Sequence, residues 1–282
     1  MAILVLGAGI AGLSCARALA DGGAEVRVIE KSSSLGGRVA ARILGGAPFA
    51  YGTPDLSALG QPRADARAWI GRLAEGLAVD HGRRATSVVP TGAGATVTFE
   101  DGSSLTADCV VVSFPAPQAV AVLGPALAGP LASVRYTRTV VGAWRTPLAD
   151  DIDRIPASPL IARVVQRGPV RVAHVRPDPS EARWDDPEEV WLASMEDELG
   201  RLRLPTAGYA RFLKRWRFSC CKSPLCAPFW RATPAILACG DAFAPEGHPP
   251  STTAAARASG LAAAASLLAE GRPLREASPV GT

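Results

Sequence analysis

Ala2-Ile3-Leu4-Val5-Leu6-Gly7-Ala8-Gly9-Ile10-Ala11-Gly12 is the stretch that decides the fold. An unbroken apolar run from Ala2 to Leu6 suits a strand buried on both faces of a parallel sheet. It leads directly into Gly-x-Gly-x-x-Gly. The small and apolar residues from Ile10 to Ala20 then suit a helix packed closely on that sheet, stopped by Gly22-Gly23. A second strand, Glu25 to Ile29, ends at Glu30. Gly7 permits the tight turn, Gly9 lets a pyrophosphate approach the backbone, and Gly12 lets the helix lie close to the strand. The intervening Ala8, Ile10 and Ala11 contribute backbone N–H groups, which together with the helix dipole attract phosphate. Glu30 stands where a carboxylate accepts both ribose hydroxyls of a dinucleotide. A carboxylate there repels a 2′-phosphate, so this site suits FAD or NAD and not NADP.

Composition narrows the rest. The chain has 282 residues, 48% of them hydrophobic and 20% charged, which is enough to bury a core. Its net charge of +4 comes from scattered arginines, without the basic block that a nucleic-acid face needs. The longest apolar candidate, Leu261 to Leu268, is too short for a membrane span. Met1 is followed at once by strand residues, so no signal peptide is expected, and the six cysteines read as reduced thiols of a cytoplasmic protein.

Beyond Glu30 the pattern predicts a helix over 63–77 and strands over Thr96–Gly102 and Ser104–Val112, with a buried run at Val110–Ser113. Antiparallel strands are expected near Val134–Trp144, Ile161–Gln166 and Val170–Val175, then a helix over Pro187–Leu199 and a strand over Arg211–Phe218. A last short strand, Ala235–Ala238, ends in Cys239-Gly240-Asp241. Ser251-Thr252-Thr253 can cap a final helix over 254–269, and the residues from Gly271 read as a frayed tail.

Two further motifs separate FAD from NAD. Leu35-Gly36-Gly37-Arg38 follows Glu30 closely; its glycines admit a diphosphate and Arg38 can pair with it bidentately. Gly240-Asp241 ends a strand ahead of a capped helix, so Asp241 can bind a ribitol hydroxyl. The positive end of that helix, at Thr252 and Thr253, can face the flavin edge that becomes negative on reduction.

With these motifs in this order, the chain resembles the FAD-dependent amine oxidase superfamily, and within it the renalase-like oxidoreductases. The resemblance rests on Gly7–Gly12, Glu30, Leu35–Arg38, Ser113-Phe114-Pro115-Ala116-Pro117-Gln118, Lys214-Arg215-Trp216-Arg217-Phe218, Leu237–Phe243 and Ser259-Gly260. It implies an α/β fold with a Rossmann-type FAD-binding domain, discontinuous in sequence, and a smaller substrate domain of antiparallel sheet plus helices. The first would comprise residues 1–52, 78–123 and 230–282, the second residues 53–77 and 124–229. It further implies that Lys31, Gly52, Thr53, Ala85 and Ser113 join the cofactor site, and that Tyr51, Arg215 and Trp216 line the substrate pocket. Three segments depart from the pattern. Ala50-Tyr51-Gly52-Thr53-Pro54 replaces an Asp-His-Gly-Ala-Gln-like segment, the stretch from Gly52 to Arg83 is shortened, and Thr253-Ala254-Ala255-Ala256 with Arg257 replaces a Val-Glu-Gly-Ala-like sequence.

No catalytic residue stands out. Cys220, Cys221 and Cys226 lack metal-ligand spacing, His81, His174 and His248 share no catalytic spacing, and Gly-x-Ser-x-Gly is absent. No metal is expected. On a strand, Trp216 would face one way and Arg215 and Arg217 the other, as a buried tryptophan with solvated arginines or as a pocket wall. The resemblance implies an enzyme passing a hydride from a small molecule, a dihydronicotinamide or an amine, to flavin N5, with O2 or another acceptor reoxidising it. The alternatives are an accessory FAD-binding protein without turnover and a biosynthetic tailoring desaturase.

Overall fold

The protein is described from a computed structural model covering residues 1–39, 41–53, 66–92, 94–206 and 210–271. The opening unit is as expected: β1 (Ala2–Leu6), α1 (Ile10–Asp21) and β2 (Glu25–Ile29), with β1 and β2 parallel. Helix α1 ends at Gly22, and Gly23 takes a φ of 86° that other residues adopt rarely. A 3-10 turn at Gly37–Val39 leads to a hairpin of β3 (Ala41–Leu44) and β4 (Ala47–Ala50). Next come α2 (Ala66–Ala74), β5 (Ala78–Asp80), and a meander of β6 (Ala85–Pro90), β7 (Ala95–Phe99) and β8 (Ser104–Ala107). β9 (Cys109–Val112) is followed by α3 (Ala116–Leu123) and α4 (Pro125–Ala128).

The second lobe follows, with β10 (Thr139–Arg154), β11 (Ile161–Val175), α5 (Pro177–Ala182), α6 (Glu188–Arg201) and β12 (Arg211–Trp216). The chain then returns through β13 (Trp230–Thr233), β14 (Ile236–Ala238) and α7 (Thr253–Gly271).

The central sheet has the order β13-β14-β9-β1-β2-β5, parallel except for β13. Period-two alternation splits β1 between two cores. Ile3 and Val5 pack under α1, α2 and α7, while Leu4 and Leu6 pack on the opposite side with α3 and the meander. The chain passes from β1 to β2 on one side and later places β9 on the other. The carboxyl ends of β1 and β9 therefore flank a topological switch point, where open α/β sheets bind ligands. The second lobe is the antiparallel sheet β11-β10-β12, with Trp144, Trp191 and Met195 buried between it and α6. Its other face meets the β3–β4 hairpin around Phe49 and Tyr51.

Several expected elements are redrawn. Ser104–Val112 is two strands in different sheets, because Asp108 breaks the run: its N–H reaches Ala2 O and its carboxylate accepts the Ala2 N–H. Residues 134–138 precede β10 instead of opening it, and Ile161–Val175 is one strand running through Gly168, whose φ of 61° absorbs the irregularity opposite Arg145–Asp150. β12 ends at Trp216, short of Phe218. Helix α2 begins at Ala66 among the described residues, and its Ile70, with Trp69 and Leu73, packs in the α1 core. Arg17 of α1 donates to Leu73 O and Glu75 O, which ties α2 to the half that contains β1 and α1. The expected tail beyond Gly271 and Pro54 lie outside the described residues.

Candidate functional site

The motif residues converge at the carboxyl edge of the central sheet. Gly7 has a φ of 103°, which glycine adopts freely. A Cβ on Gly12 would stand 2.0 Å from Gly7 O and 2.5 Å from Ser113 Oγ, so only glycine lets α1 start this close to β1. Gly9 differs: it precedes α1 with an ordinary φ of −78°, and a Cβ there would meet nothing within 4 Å. The α1 N-terminus thus opens onto free space, with no side chain capping it.

Each neighbour holds the loop in shape. Ser113 Oγ lies 2.9 Å from Leu6 O and 3.0 Å from Gly7 O, and can donate its single hydrogen to either. Gly36 N–H donates to Ala8 O at 2.8 Å, laying the Gly36-Gly37 turn along the glycine loop with φ values of 101° and 55°. Glu30 is buried at the end of β2, where it accepts the Ala8 N–H at 2.8 Å and both the N–H and Oγ–H of Ser32 at 2.8 and 2.7 Å. Three donors leave room on two carboxylate oxygens for a ribose hydroxyl.

Beside Glu30 lies a cleft of about 250 Å³ between the meander and α3. Leu6, Ile29, Ala85 and Phe114 supply its apolar walls, and Lys31, Arg83 and Arg84 its charge. Lys31 has its ammonium pKa lowered by burial and by the Arg84 charge, against the pull of Glu30. Lys31 and Ala85, expected in the cofactor site, are thus both placed in this cleft.

Arg38 and Asp241 meet directly although 203 positions separate them. The guanidinium donates to both carboxylate oxygens, at 2.7 and 2.5 Å, and to Phe218 O and Ser219 O at 3.1 and 3.2 Å. Burial alone would lower the Arg38 pKa, but the Asp241 charge and hydrogen bonds outweigh it and raise it. Tyr136 donates its hydroxyl to Asp241 at 3.0 Å and places its ring beneath the guanidinium, 5.8 Å away. Burial and the Asp241 charge push the Tyr136 pKa up, so its proton stays on. Gly240, with a φ of 141°, donates its N–H to the buried Ser259 of α7 at 3.0 Å. Gly260 lets α7 pack against α1, since a Cβ there would stand 2.2 Å from Ala11 O.

The cap of α7 is Thr252, whose Oγ1 accepts the Ala255 N–H at 3.1 Å; Thr253 is the first helical residue. Ser251, at a φ of 59°, instead accepts the Cys221 N–H at 2.7 Å. The Thr53 N–H donates to Arg38 O at 2.9 Å, which brings Gly52-Thr53 beside the same centre. Tyr51 stacks on Trp216, ring centroids 5.7 Å apart, and accepts the Trp216 indole N–H through its carbonyl at 3.3 Å. Arg215 is not with them. It projects from the other face of β12 and donates to Trp184 O and Asp186 O.

Tyr136, Ser32 and Ser259 are site residues that the sequence pattern did not single out as such. Ser32 carries a local signal, a hydroxyl two residues beyond an acid, whereas nothing around Tyr136 marks it. Burial raises the Cys239 thiol to about 12, and burial with the Asp241 charge raises Cys221 to about 11, so these two thiols keep their protons at neutral pH. His174 is held neutral, burial lowering it to about 4. Among the described residues no cluster of His, Cys, Asp or Glu could hold a metal ion, and no helix is long and apolar enough to cross a membrane.

Comparison with known proteins agrees with this architecture. A family profile described as an NAD(P)-binding Rossmann-like domain matches residues 5–66. No curated protein matches the sequence. Among solved structures, a protein from Exiguobacterium sp. 255-15 provisionally assigned as a protoporphyrinogen oxidase is similar at a TM-score of 0.71 and 12% identity, over 95% of this chain and 99% of that one. Putrescine oxidase bound to putrescine gives 0.68 and 15% over 95% and 99% of the two chains. A variant of putrescine oxidase redesigned in cofactor binding gives 0.70 and 16% over 95% and 98%. At these identities the likeness establishes the fold: a Rossmann-type α/β half with an antiparallel second lobe, the architecture of these oxidases.

Proposed function

We propose that the chain binds FAD and is an FAD-dependent oxidoreductase of the amine oxidase type, acting on a small-molecule donor. The observation that carries this reading is the Arg38–Asp241 junction beside the open N-terminus of α1. The first βαβ unit alone fits either dinucleotide. Here a second segment, more than two hundred residues later, closes on the same spot and brings the start of α7 with it.

The residues fit the cofactor. Gly9 leaves space for a diphosphate against free helix N–H groups, Glu30 retains acceptor capacity for a ribose, and the apolar cleft by Ala85 suits an adenine. Arg38 would offer its outer edge to the diphosphate while Asp241 keeps it in place, and Asp241 would reach a ribitol hydroxyl. Bound FAD supplies a two-electron acceptor, leaving the chain to position the donor and exclude water. At the junction Asp241 is held by Arg38 and Tyr136 keeps its proton, which favours a donor that needs orientation more than deprotonation. The two renalase-like donor classes differ here: a dihydronicotinamide gives up a hydride as it stands, an amine only once its ammonium proton has left, with O2 as an acceptor of the electrons in either case.

Purified protein reconstituted with FAD should show flavin absorbance at one equivalent per chain and bleach anaerobically on addition of a true donor. Absence of stoichiometric flavin would overturn the reading; stoichiometric flavin that no donor bleaches would favour an accessory protein.

A further inference from the structure

We propose that Ser251 positions the start of α7 against the flavin and so sets how readily that flavin accepts electrons, an inference that rests on the FAD reading above. Among the described residues only Arg203 and Ser251 are non-glycines with a positive φ, 58° and 59°. In this left-handed region a side chain crowds the following carbonyl, a cost that persists only where surrounding contacts impose it.

Arg203 has an ordinary reason for its conformation. It follows the last turn of α6, where its N–H donates to Gly200 O at 3.0 Å and the Leu204 N–H donates to Leu199 O at 2.8 Å, the bonds that end a helix. Ser251 stands at the opposite end of a helix, where no such motif calls for a left-handed residue. It comes one position before the Thr252 cap of α7, and its Oγ accepts the Cys221 N–H at 2.7 Å. Cys221 lies opposite Tyr136 in a short ladder, in which the Lys222 N–H donates to Arg135 O and the Thr137 N–H to Cys220 O, at 2.8 and 2.9 Å. Two residues earlier, the same stretch gives the Ser219 carbonyl to Arg38. One hydroxyl therefore pins the start of α7 to the strand that closes the Arg38–Asp241 junction.

What the pin holds in place is a pair of donors. Thr252 takes the Ala255 N–H on its Oγ1 and the Ala256 N–H on its carbonyl, while the N–H groups of Thr253 and Ala254 have no acceptor among the described residues. These two donors and the helix dipole would meet the flavin edge that becomes negative on reduction. Such stabilisation falls off within the first turn, so a small change in where α7 begins alters it. Ser251 fixes that point from outside the helix. Without its bond the left-handed residue relaxes and the first turn moves with it, while the body of α7 stays packed on α1 through Gly260.

The test compares Ser251→Ala, Ser251→Gly and Arg203→Gly in FAD-loaded protein, reading the flavin midpoint potential against indicator dyes and the melting temperature. Ser251→Ala loses the bond and keeps the strained backbone; Ser251→Gly loses bond and strain together. Ser251→Ala should therefore melt below Ser251→Gly, yet both should lower the equilibrium for two-electron reduction about fivefold, ~20 mV. Arg203→Gly relieves a comparable strain at the end of α6 and should leave the potential as in wild type. A residue that only held the fold would move potential and melting together, whereas here the two separate. Potentials of both Ser251 variants matching wild type, a shift in Ser251→Ala alone, or an equal shift in Arg203→Gly would overturn the proposal. Protein that takes up no flavin would refute the FAD reading and this inference with it; loaded protein with an unmoved potential would refute this inference alone.

Discussion

Gly9 and Gly12 belong to one motif, yet substituting each by alanine should break different things. At Gly12 the new Cβ would stand 2.0 Å from Gly7 O and 2.5 Å from Ser113 Oγ, and the first of these is backbone that cannot swing aside. Relief requires α1 to move off β1, opening the core around Leu13 and Ala16. Overpacking of this kind costs about 1–3 kcal/mol or more. At Gly9 the Cβ would meet nothing within 4 Å, and a φ of −78° with ψ of −179° is open to alanine. Losing glycine at the N-cap costs roughly 0.5–1 kcal/mol, while the lower entropy of the unfolded chain returns about 0.4–1 kcal/mol. Flavin-free Gly9→Ala should therefore melt within a few degrees of wild type, and Gly12→Ala well below it. The same Cβ at Gly9 occupies the space proposed for the diphosphate. Losing one or two charge-assisted hydrogen bonds, at about 1.5–3 kcal/mol, would weaken FAD binding about ten- to a hundredfold. Thermal melts of flavin-free protein and flavin-fluorescence titrations measure the two quantities separately. Unchanged FAD affinity in a folded Gly9→Ala variant would refute the placement of the diphosphate, and a large loss of stability would refute the view of Gly9 as free space.

Tyr136→Phe keeps the ring under Arg38 and removes the hydrogen bond to Asp241, so stability should fall by about 1 kcal/mol and FAD affinity severalfold, read by urea melts and titration. Asp241→Asn should cost more, roughly 2–4 kcal/mol, because it strips the charge partner from a guanidinium held in a largely buried pair; Arg38→Met with Asp241→Asn together should cost less than the sum of the two, as a double-mutant cycle would show. His174 has its folded-state pKa lowered by burial to about 4 from an ordinary 6.5, and its Nε2 is buried without a partner. The unfolded chain therefore binds the proton first, and this contribution to stability is complete above pH 6.5 and lost as pH falls toward 4. His174→Leu should flatten the stability profile between those values, measured by urea melts at about pH 7 and about pH 4.5. Ser259→Ala leaves the buried Gly240 N–H unpaired and should destabilise by about 1–3 kcal/mol while distorting the Asp241 turn.

What could be seen in the sequence follows the range of the interaction that encodes it. β1, α1 and β2 have nearly the expected ends because their signals are local: an apolar run, glycines at turns with positive φ, and an acid at a strand end. The Thr252 cap on α7 is equally local, a hydroxyl bonding an N–H three residues ahead. Asp108 shows where local reading stops. The alternation of Ser104–Val112 continues through it, and only its bonds to Ala2, more than a hundred positions away, separate β8 from β9. Gly168-Pro169 looks like a break for the opposite reason: it would end a free strand, but pairing with β10 carries β11 across it.

Arg38 and Asp241 each stand out in the sequence within a motif of two or three residues, yet the bond between them does not. That bond makes the site something other than two independent halves. Arg38 gathers acceptors from β12's exit at Phe218 and Ser219 and from Asp241, while Tyr136, just ahead of β10, secures the acid. Three stretches widely separated in sequence therefore share one guanidinium, and two of them lead directly into the second lobe. A guanidinium already held by four hydrogen bonds loses little further freedom when it meets a phosphate, so the cost of ordering it is met in folding and not in binding. Displacing Arg38 would release Phe218 and Ser219 along with Asp241, so Arg38→Met should lower stability as well as FAD affinity. An Arg38→Met variant that loses FAD affinity but melts with wild type would show that the guanidinium does not brace these segments.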